Sequence, residues 1–215
     1  MASIQVPLCS CFADKSIEHI NALLDDKGAS LSIDQANWSK EYPYKPLTWV
    51  YLARTDQKLL IKWHVVGVML KAIYTHDGDA VFNDSCVEFF CKLPDSERYY
   101  NLEFNAIGTA RCASRISRNE SVEVFSEEQY KQIERYSSLG RRPFCEIDGQ
   151  FVWDLCVAIP LPLLGIDNAH LPEYIEGNFY KCADDTSAKH YLSWSAIKTA
   201  QPDFHRPEFF GKIYF

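Results

Sequence analysis

The strongest constraint on the fold is a period-two alternation of apolar and polar residues along several short runs. In Leu59-Leu60-Ile61-Lys62-Trp63-His64-Val65, the side chains of Leu59, Ile61, Trp63 and Val65 share one face, the signature of a half-buried strand. Ser85 to Lys92 predicts a second strand and Tyr99 to Ala106 a third, joined as a hairpin by the turn-forming Pro94-Asp95-Ser96-Glu97. Phe151 to Ile159 predicts a fourth, stopped by Pro160 and Pro162. Trp49 to Ala53, Val68 to Tyr74 and Gly211 to Phe215 are further candidates. Helical patterning is confined to two places. Ser16 precedes a predicted helix from Ile17 to Leu24, and Ser126 with Gln129 makes a capping-box pattern opening a helix through about Tyr136. Many strands, few helices and no strand–helix–strand rhythm predict an all-β chain, an antiparallel β-sandwich with one or two short helices.

Bulk properties narrow the function. A length of 215 residues suits one sandwich domain, with no repeat or linker to divide it. The net charge of −7 argues against nucleic acid, which needs clustered Lys and Arg. No uninterrupted apolar run reaches the ~18 residues of a membrane span. The N-terminal Met-Ala-Ser-Ile-Gln-Val-Pro-Leu has neither a basic n-region nor a long apolar h-region. The expectation is a cytoplasmic chain, or a periplasmic or secreted one if a leader preceded it. Eight cysteines show no Cys-x-x-Cys and no zinc-type quartet, so most are expected reduced and buried. Cys86 and Cys91 have opposite parity on one strand and cannot bridge each other.

The aromatic share of 14% supplies rings beyond the needs of an aliphatic core. Parity sorts the tryptophans. Trp63 and Trp153 share faces with Ile, Leu and Val and are expected in the core. Trp49 faces with Tyr51 and Ala53, away from Val50 and Leu52, so a surface or cleft position is expected. Trp38 lies in a proline-rich stretch read as loop, a platform or a lid.

Polar side chains sort the same way. On the run from Tyr99, one face carries Tyr99, Asn101, Glu103 and Asn105. Asn is disfavoured in strands, yet it occurs twice here beside Glu. If the apolar faces meet in the core, Glu88 of the partner strand lies on the side of Asn101, Glu103 and Asn105. This row is either an ordinary solvated face or a concave surface of amides and carboxylates that bonds a ligand or orders the chain's own loops. Two C-terminal strings, Asn178-Phe179-Tyr180-Lys181-Cys182 and Asp203 to Gly211, mix hydrogen-bonding groups with rings, with His190 and Trp194 between them. Such a mixture suits a sugar, whose C–H face stacks on rings while its hydroxyls are bonded. It also suits a network that fastens the last strand. Asp77, Asp79, Asn83 and Asp84 place four oxygen-bearing side chains in one loop, a candidate structural calcium site without EF-hand spacing; Asp184-Asp185 is a weaker candidate. No other cofactor is required by the pattern.

The strings Asp84 to Phe90, Tyr99 to Gly108, Ile159-Pro160, Asn178 to Cys182 and Asp203 to Gly211, in that order, resemble the carbohydrate-binding module family 9-like proteins. The likeness is to the compact stand-alone branch found in gut Bacteroidetes, and it spans roughly Trp49 to Phe215. It implies an immunoglobulin-like β-sandwich over 46–215, with 1–45 an extension packing on it. It also implies noncovalent binding of a mono- or oligosaccharide, a link to carbohydrate catabolism and hydrolases, no catalysis of its own, and a structural part for calcium. In that family a sugar end is held between tryptophan rings; Trp49 and Trp194 are the nearest counterparts here.

The resulting expectation has Trp49, Tyr180 and Trp194 stacking on a carbohydrate ligand in a single hollow. Asn101, Glu103 and Asn105 would supply polar contacts from the ladder, and Asn178, Lys181 and His190 from the first C-terminal string and its neighbour. His205, Arg206 and Glu208 would add contacts from the second. Two competing readings remain. One is a saccharide-acting enzyme using Glu88 and Glu103, or His205 and Glu208, as acid and base. The other is a structural or interaction domain without a ligand.

Overall fold

The computed structural model describes residues 2–215. Two sheets face each other. The larger runs in the order β1 (Ser3–Gln5), β13 (Gly211–Tyr214), β11 (Tyr174–Cys182), β5 (Cys86–Lys92), β6 (Tyr99–Asn105), β7 (Ala110–Arg115) and β8 (Glu123–Val124), with β12 (Tyr191–Ser193) also paired to β11. The smaller runs β2 (Ala29–Ser32), β3 (Leu47–Arg54), β4 (Lys58–Ala72), β10 (Phe144–Pro160) and β9 (Glu134–Ser137). Pairing is antiparallel except where β1 runs parallel to β13. The antiparallel sandwich is therefore the architecture that the alternation predicts. The expected extension, 1–45, supplies β1, α1 and β2, so it adds an edge strand to each sheet.

The core fills the space between the sheets as strand parity dictates. Val87, Phe89, Leu102, Phe104 and Phe179 come from the larger sheet and meet Ile61, Trp63, Leu155 and Val157 from the smaller, all fully buried. Trp63 and Phe104 join the two layers with ring centroids 5.9 Å apart. Helix α1 (Ile17–Lys27) covers the outer face of the smaller sheet. Its Ile17, Ile20 and Leu24 pack on Ala53, Leu60, Cys156 and Ala158.

Three local departures from the sequence expectation have physical causes. The runs 59–65 and 68–74 are one fifteen-residue strand, β4, since it pairs along nearly its whole length with the seventeen-residue β10. The break in pattern near Val68 is a bulged register rather than a turn, with Met69 at φ 59° and Gly149 at φ 150°. Helix α2 (Glu127–Gln132) has the expected Ser126/Gln129 capping box but stops before Tyr136. Ile133 turns extended and enters the core, and the next four residues pair with β10 as β9.

The outer face of the larger sheet carries a third layer. Phe90, Tyr99 and Tyr180 point outward and are covered by Trp38, Ile197, Phe204 and Phe210 from loops. Trp38, read as loop, is a buried lid whose indole N–H donates to the Thr199 carbonyl at 2.9 Å.

Candidate functional site

Register across four strands sets the floor of a cleft. Tyr180, Glu88, Glu103 and Arg111 stand opposite one another on β11, β5, β6 and β7, so their side chains leave the sheet in one row. A neighbouring row holds Cys182, Cys86 and Asn105. Above Glu88, Glu103 and Arg111 lies an open hollow of about 310 Å³. Arg115, Arg118 and Asn119 form one wall, Phe82, Asp184 and Tyr191 another, and Pro202 to His205 the roof. The rings are held from behind. Phe204 stacks on Tyr180 at 4.2 Å, and Tyr191 meets Trp38 and Tyr42 edge-on.

The electrostatics of the floor are unusual. Burial, reinforced by the like charge of the facing Glu103, raises the Glu88 carboxyl well above its ordinary value. Burial pushes Glu103 up to about 7 against the pull of Arg111 and Arg115. Asp184 is also raised by burial. His205 is held down to about 3, first by burial and then by Arg118 and Arg115, and its Nδ1 pairs with the Tyr99 hydroxyl at 2.8 Å. At neutral pH the cleft therefore offers a neutral imidazole from its roof and, from its floor, carboxyls that can donate as well as accept. Asn101 Nδ2 donates to Glu103 Oε1 at 2.9 Å, while Glu103 Oε2 and Asn101 Oδ1 are buried with no partner in the protein. Glu103 lines the cleft, where a guest can supply the donor that its Oε2 lacks.

The expectation of a single hollow gathering all the singled-out residues is corrected. Glu103 and His205 line the cleft. Tyr180 is sealed beneath Phe204, its hydroxyl donating to the Phe204 carbonyl. Asn178 donates to the Ser195 carbonyl and accepts from the Ser195 N–H, which fastens the C-terminal segment. Asn105 bonds the Tyr74 carbonyl, Asp84 and the Thr109 N–H. Lys181 has the opposite parity to Glu88's partner Tyr180, so it and His190 lie on the other face, with Lys181 Nζ 3.0 Å from His190 Nε2. Burial holds Lys181 down to about 8 and His190 well below its usual value.

The tryptophans separate as well. Trp49 belongs to the smaller sheet, where its ring meets His64 at 5.8 Å. Trp194 packs edge-on against Phe179. It also sits so close over Gly211 that any Cβ there would strike the indole. The two rings therefore do not sandwich a common guest. Arg206 and Glu208 form an ion pair at 2.5 Å, with Glu208 exposed.

The acidic loop is committed to protein partners. Asp77 takes Arg135 in a fork at 2.6 and 2.8 Å, and Asp79 accepts the His76 N–H. Asn83 bonds the Tyr74 hydroxyl, and Asp84 caps the N–H groups of Ile73 and Tyr74. A calcium ion at Asp77 would compete with a guanidinium already seated there. A larger hollow beside Arg135 and Arg141 has a floor already paired in this way.

Sequence reasoning missed the arginines. Arg111 and Arg115 alternate with small residues on β7, a strand the sequence reading does not pick out, and that alternation was the available signal. Arg118, Asn119, Asp184 and Tyr191 come from loops or a short edge strand, where no periodicity marks them.

Comparison with known proteins agrees with this architecture. The profile of Carbohydrate-binding family 9 matches residues 18–215. The chain belongs to carbohydrate-binding family 9. A protein of Bacteroides uniformis ATCC 8492, described as a "putative carbohydrate-binding protein", is 34% identical, with a TM-score of 0.90 over 99% of this chain and 98% of that one. A family 9 module of Caldicellulosiruptor kristjanssonii in complex with glucose shares the fold at 12% identity and TM-score 0.59, covering 99% of this chain and 95% of that one. The module in complex with cellotriose does so at 11% and 0.57, covering 99% and 93%. No curated protein matches the sequence. Among the described residues of this family 9 chain, no helix is long and apolar enough to cross a membrane.

Proposed function

We propose that this family 9 protein binds a mono- or oligosaccharide noncovalently in the cleft above Glu88 and Glu103. The observation that carries this reading is the unsatisfied buried Oε2 of Glu103 at the floor of a hollow lined by rings and guanidinium groups. Phe82, Tyr191 and Phe204 offer apolar faces, while Arg111, Arg118, Asn119 and Asp184 offer hydrogen bonds to hydroxyls. Family membership, and the sugars bound by the Caldicellulosiruptor modules, point to the same ligand class. Affinity for a single sugar is expected to be weak, since each hydroxyl loses water on entry. Titration calorimetry against a glycan panel tests the reading. Affinity should fall by about tenfold in Asp184→Asn and Arg118→Ala while their thermal melts stay close to the parent. A folded protein that binds no member of the panel, or whose binding ignores both substitutions, refutes it.

One observation favours a second reading. Glu88 and Glu103 are opposed carboxyls in a cleft with raised proton affinities, the arrangement that separates acid and base roles in glycoside hydrolysis. Product release from the same panel, abolished in Glu103→Gln, would replace binding by catalysis.

A further inference from the structure

The floor of the cleft contains a donor set that sugar binding does not use. Cys86 and Cys182 are register partners on β5 and β11, so their thiols leave the same face side by side. Glu88 lies two residues beyond Cys86 and shares that face. Cys182 Sγ is 3.1 Å from Glu88 Oε1, and Cys86 Sγ is 3.9 Å from the same oxygen. All three ligand atoms fall within 4.8 Å of one another, and all three residues are buried. A tetrahedral zinc ion with Zn–S of about 2.3 Å and Zn–O of about 2.0 Å has ligand–ligand edges of roughly 3.5–3.8 Å. The two S–O separations bracket the S–O edge and the two thiols lie within 4.8 Å of each other, so side-chain adjustments of about an ångström bring the three atoms onto one ion.

We propose that Cys86, Glu88 and Cys182 bind one zinc ion at the base of the cleft. Two thiolates and one carboxylate form a soft, anionic set that favours zinc over calcium or magnesium. Binding displaces the two thiol protons, and any carboxyl proton, to solvent. The resulting centre carries one net negative charge, and the Arg118 guanidinium lines the same cleft. Cys182 and Glu88 also line the open cleft, which leaves the fourth coordination position to water or to an oxygen of a bound guest. The site holds whether or not a saccharide binds above it, since its ligands come from the strands alone. The alternation that identified the ladder carries it too, but Cys86 and Cys182 are 96 positions apart and no spacing rule joins them.

The test uses the whole chain, reduced and stripped of metal by a chelator that is then removed, with zinc chloride and cobalt(II) chloride as probes. One zinc per chain should survive desalting. Cobalt should give thiolate-to-metal charge-transfer absorption together with the visible bands of a tetrahedral centre. Cys86→Ser and Cys182→Ser should each weaken zinc binding by more than about 100-fold, since even an outer partner of a metal ligand is worth ~10–100-fold. Cys11→Ser and Cys145→Ser, both exposed thiols, should leave it unchanged. If a buried serine variant unfolds, the cobalt spectrum of the parent decides alone. Absence of the charge-transfer band in the folded parent overturns the site. So does zinc affinity indifferent to Cys86 and Cys182, or a Cys86–Cys182 disulfide whose reduction restores no metal binding.

Discussion

The outer face of the larger sheet has two ends built from the same strands, and they have opposite fates. At the end marked by Asn178 and Phe90, and beneath the Phe204 ring that seals Tyr180 at the margin of the cleft's own row, the chain covers its own side chains. Asn178 is tied to Ser195, Tyr180 to Phe204, and Phe90 is enclosed by rings. At the end marked by Glu88, Glu103 and Arg111, the roof stands clear and Glu103 Oε2 keeps no protein partner. Residue types alone do not separate the two, since both mix amides, carboxyls and aromatics. What separates them is whether the backbone of the C-terminal segment already supplies the hydrogen bonds. Polar groups whose partners are complete stabilise the fold, and polar groups left incomplete around a hollow await a guest.

Four measurements can break or sharpen this division. Tyr180→Ala, at the closed end, should cost about 3–5 kcal/mol in chemical denaturation, the range for deleting a large buried aromatic. A loss near zero would mean that the third layer does not hold the sheet. Asn178→Ala should cost about 1–3 kcal/mol for each buried Ser195 group left unpaired. Its saccharide affinity should change little, and a selective loss of binding would move Asn178 into the site.

His205, on the roof, gives a pH dependence. Its folded pKa of about 3 lies below the ordinary value near 6.5, so the unfolded chain takes up the proton first as pH falls. The histidine is therefore neutral in its effect above about pH 6.5 and destabilising below it, by at most ~1.4 kcal/mol per pH unit down to about 3. The raised carboxyls of the floor act in the opposite sense, so the comparison must be between the parent and His205→Gln across this window. Parallel stability curves would show that the imidazole is not held neutral. The smallest stability effect is expected at the open end. Arg118→Ala removes a half-exposed ion pair with Asp203, worth about 0–1 kcal/mol, yet should lower saccharide affinity by about tenfold. A large stability loss would place Arg118 among the fasteners instead.

Much of the sandwich was legible because strand parity is local. The alternation from Tyr99 to Asn105 and from Cys86 to Phe90 predicted which side chains enter the core, and the register then set Glu88 opposite Glu103. Trp63 and Trp153 followed the same rule. Parity could not say what lies above the outer face, because that depends on where loops dock, 17 and 24 residues beyond Asn178 and Tyr180 and 106 beyond Tyr99. Tyr180 and Asn178 therefore looked like ligand contacts when they were anchors. Lys181 was misplaced for a simpler reason: adjacent residues of one strand point to opposite sides, so a polar string cannot act as a unit. Trp49 was read as available for a cleft, and its exposed face is real, but the cleft belongs to the other sheet. The alternation of Arg111, Ala113 and Arg115 on β7 is a local signal of the same kind.

The roof of the cleft is one uninterrupted stretch, Pro202 to His205, whereas the floor is spread over strands fixed by long-range pairing. Recognition is thus divided between a part the fold cannot alter without losing its sheet and a part that a short graft could replace. Exchanging this stretch among relatives offers a route to new sugar preferences on an unchanged scaffold, provided the graft keeps an aromatic residue to lie on Tyr180.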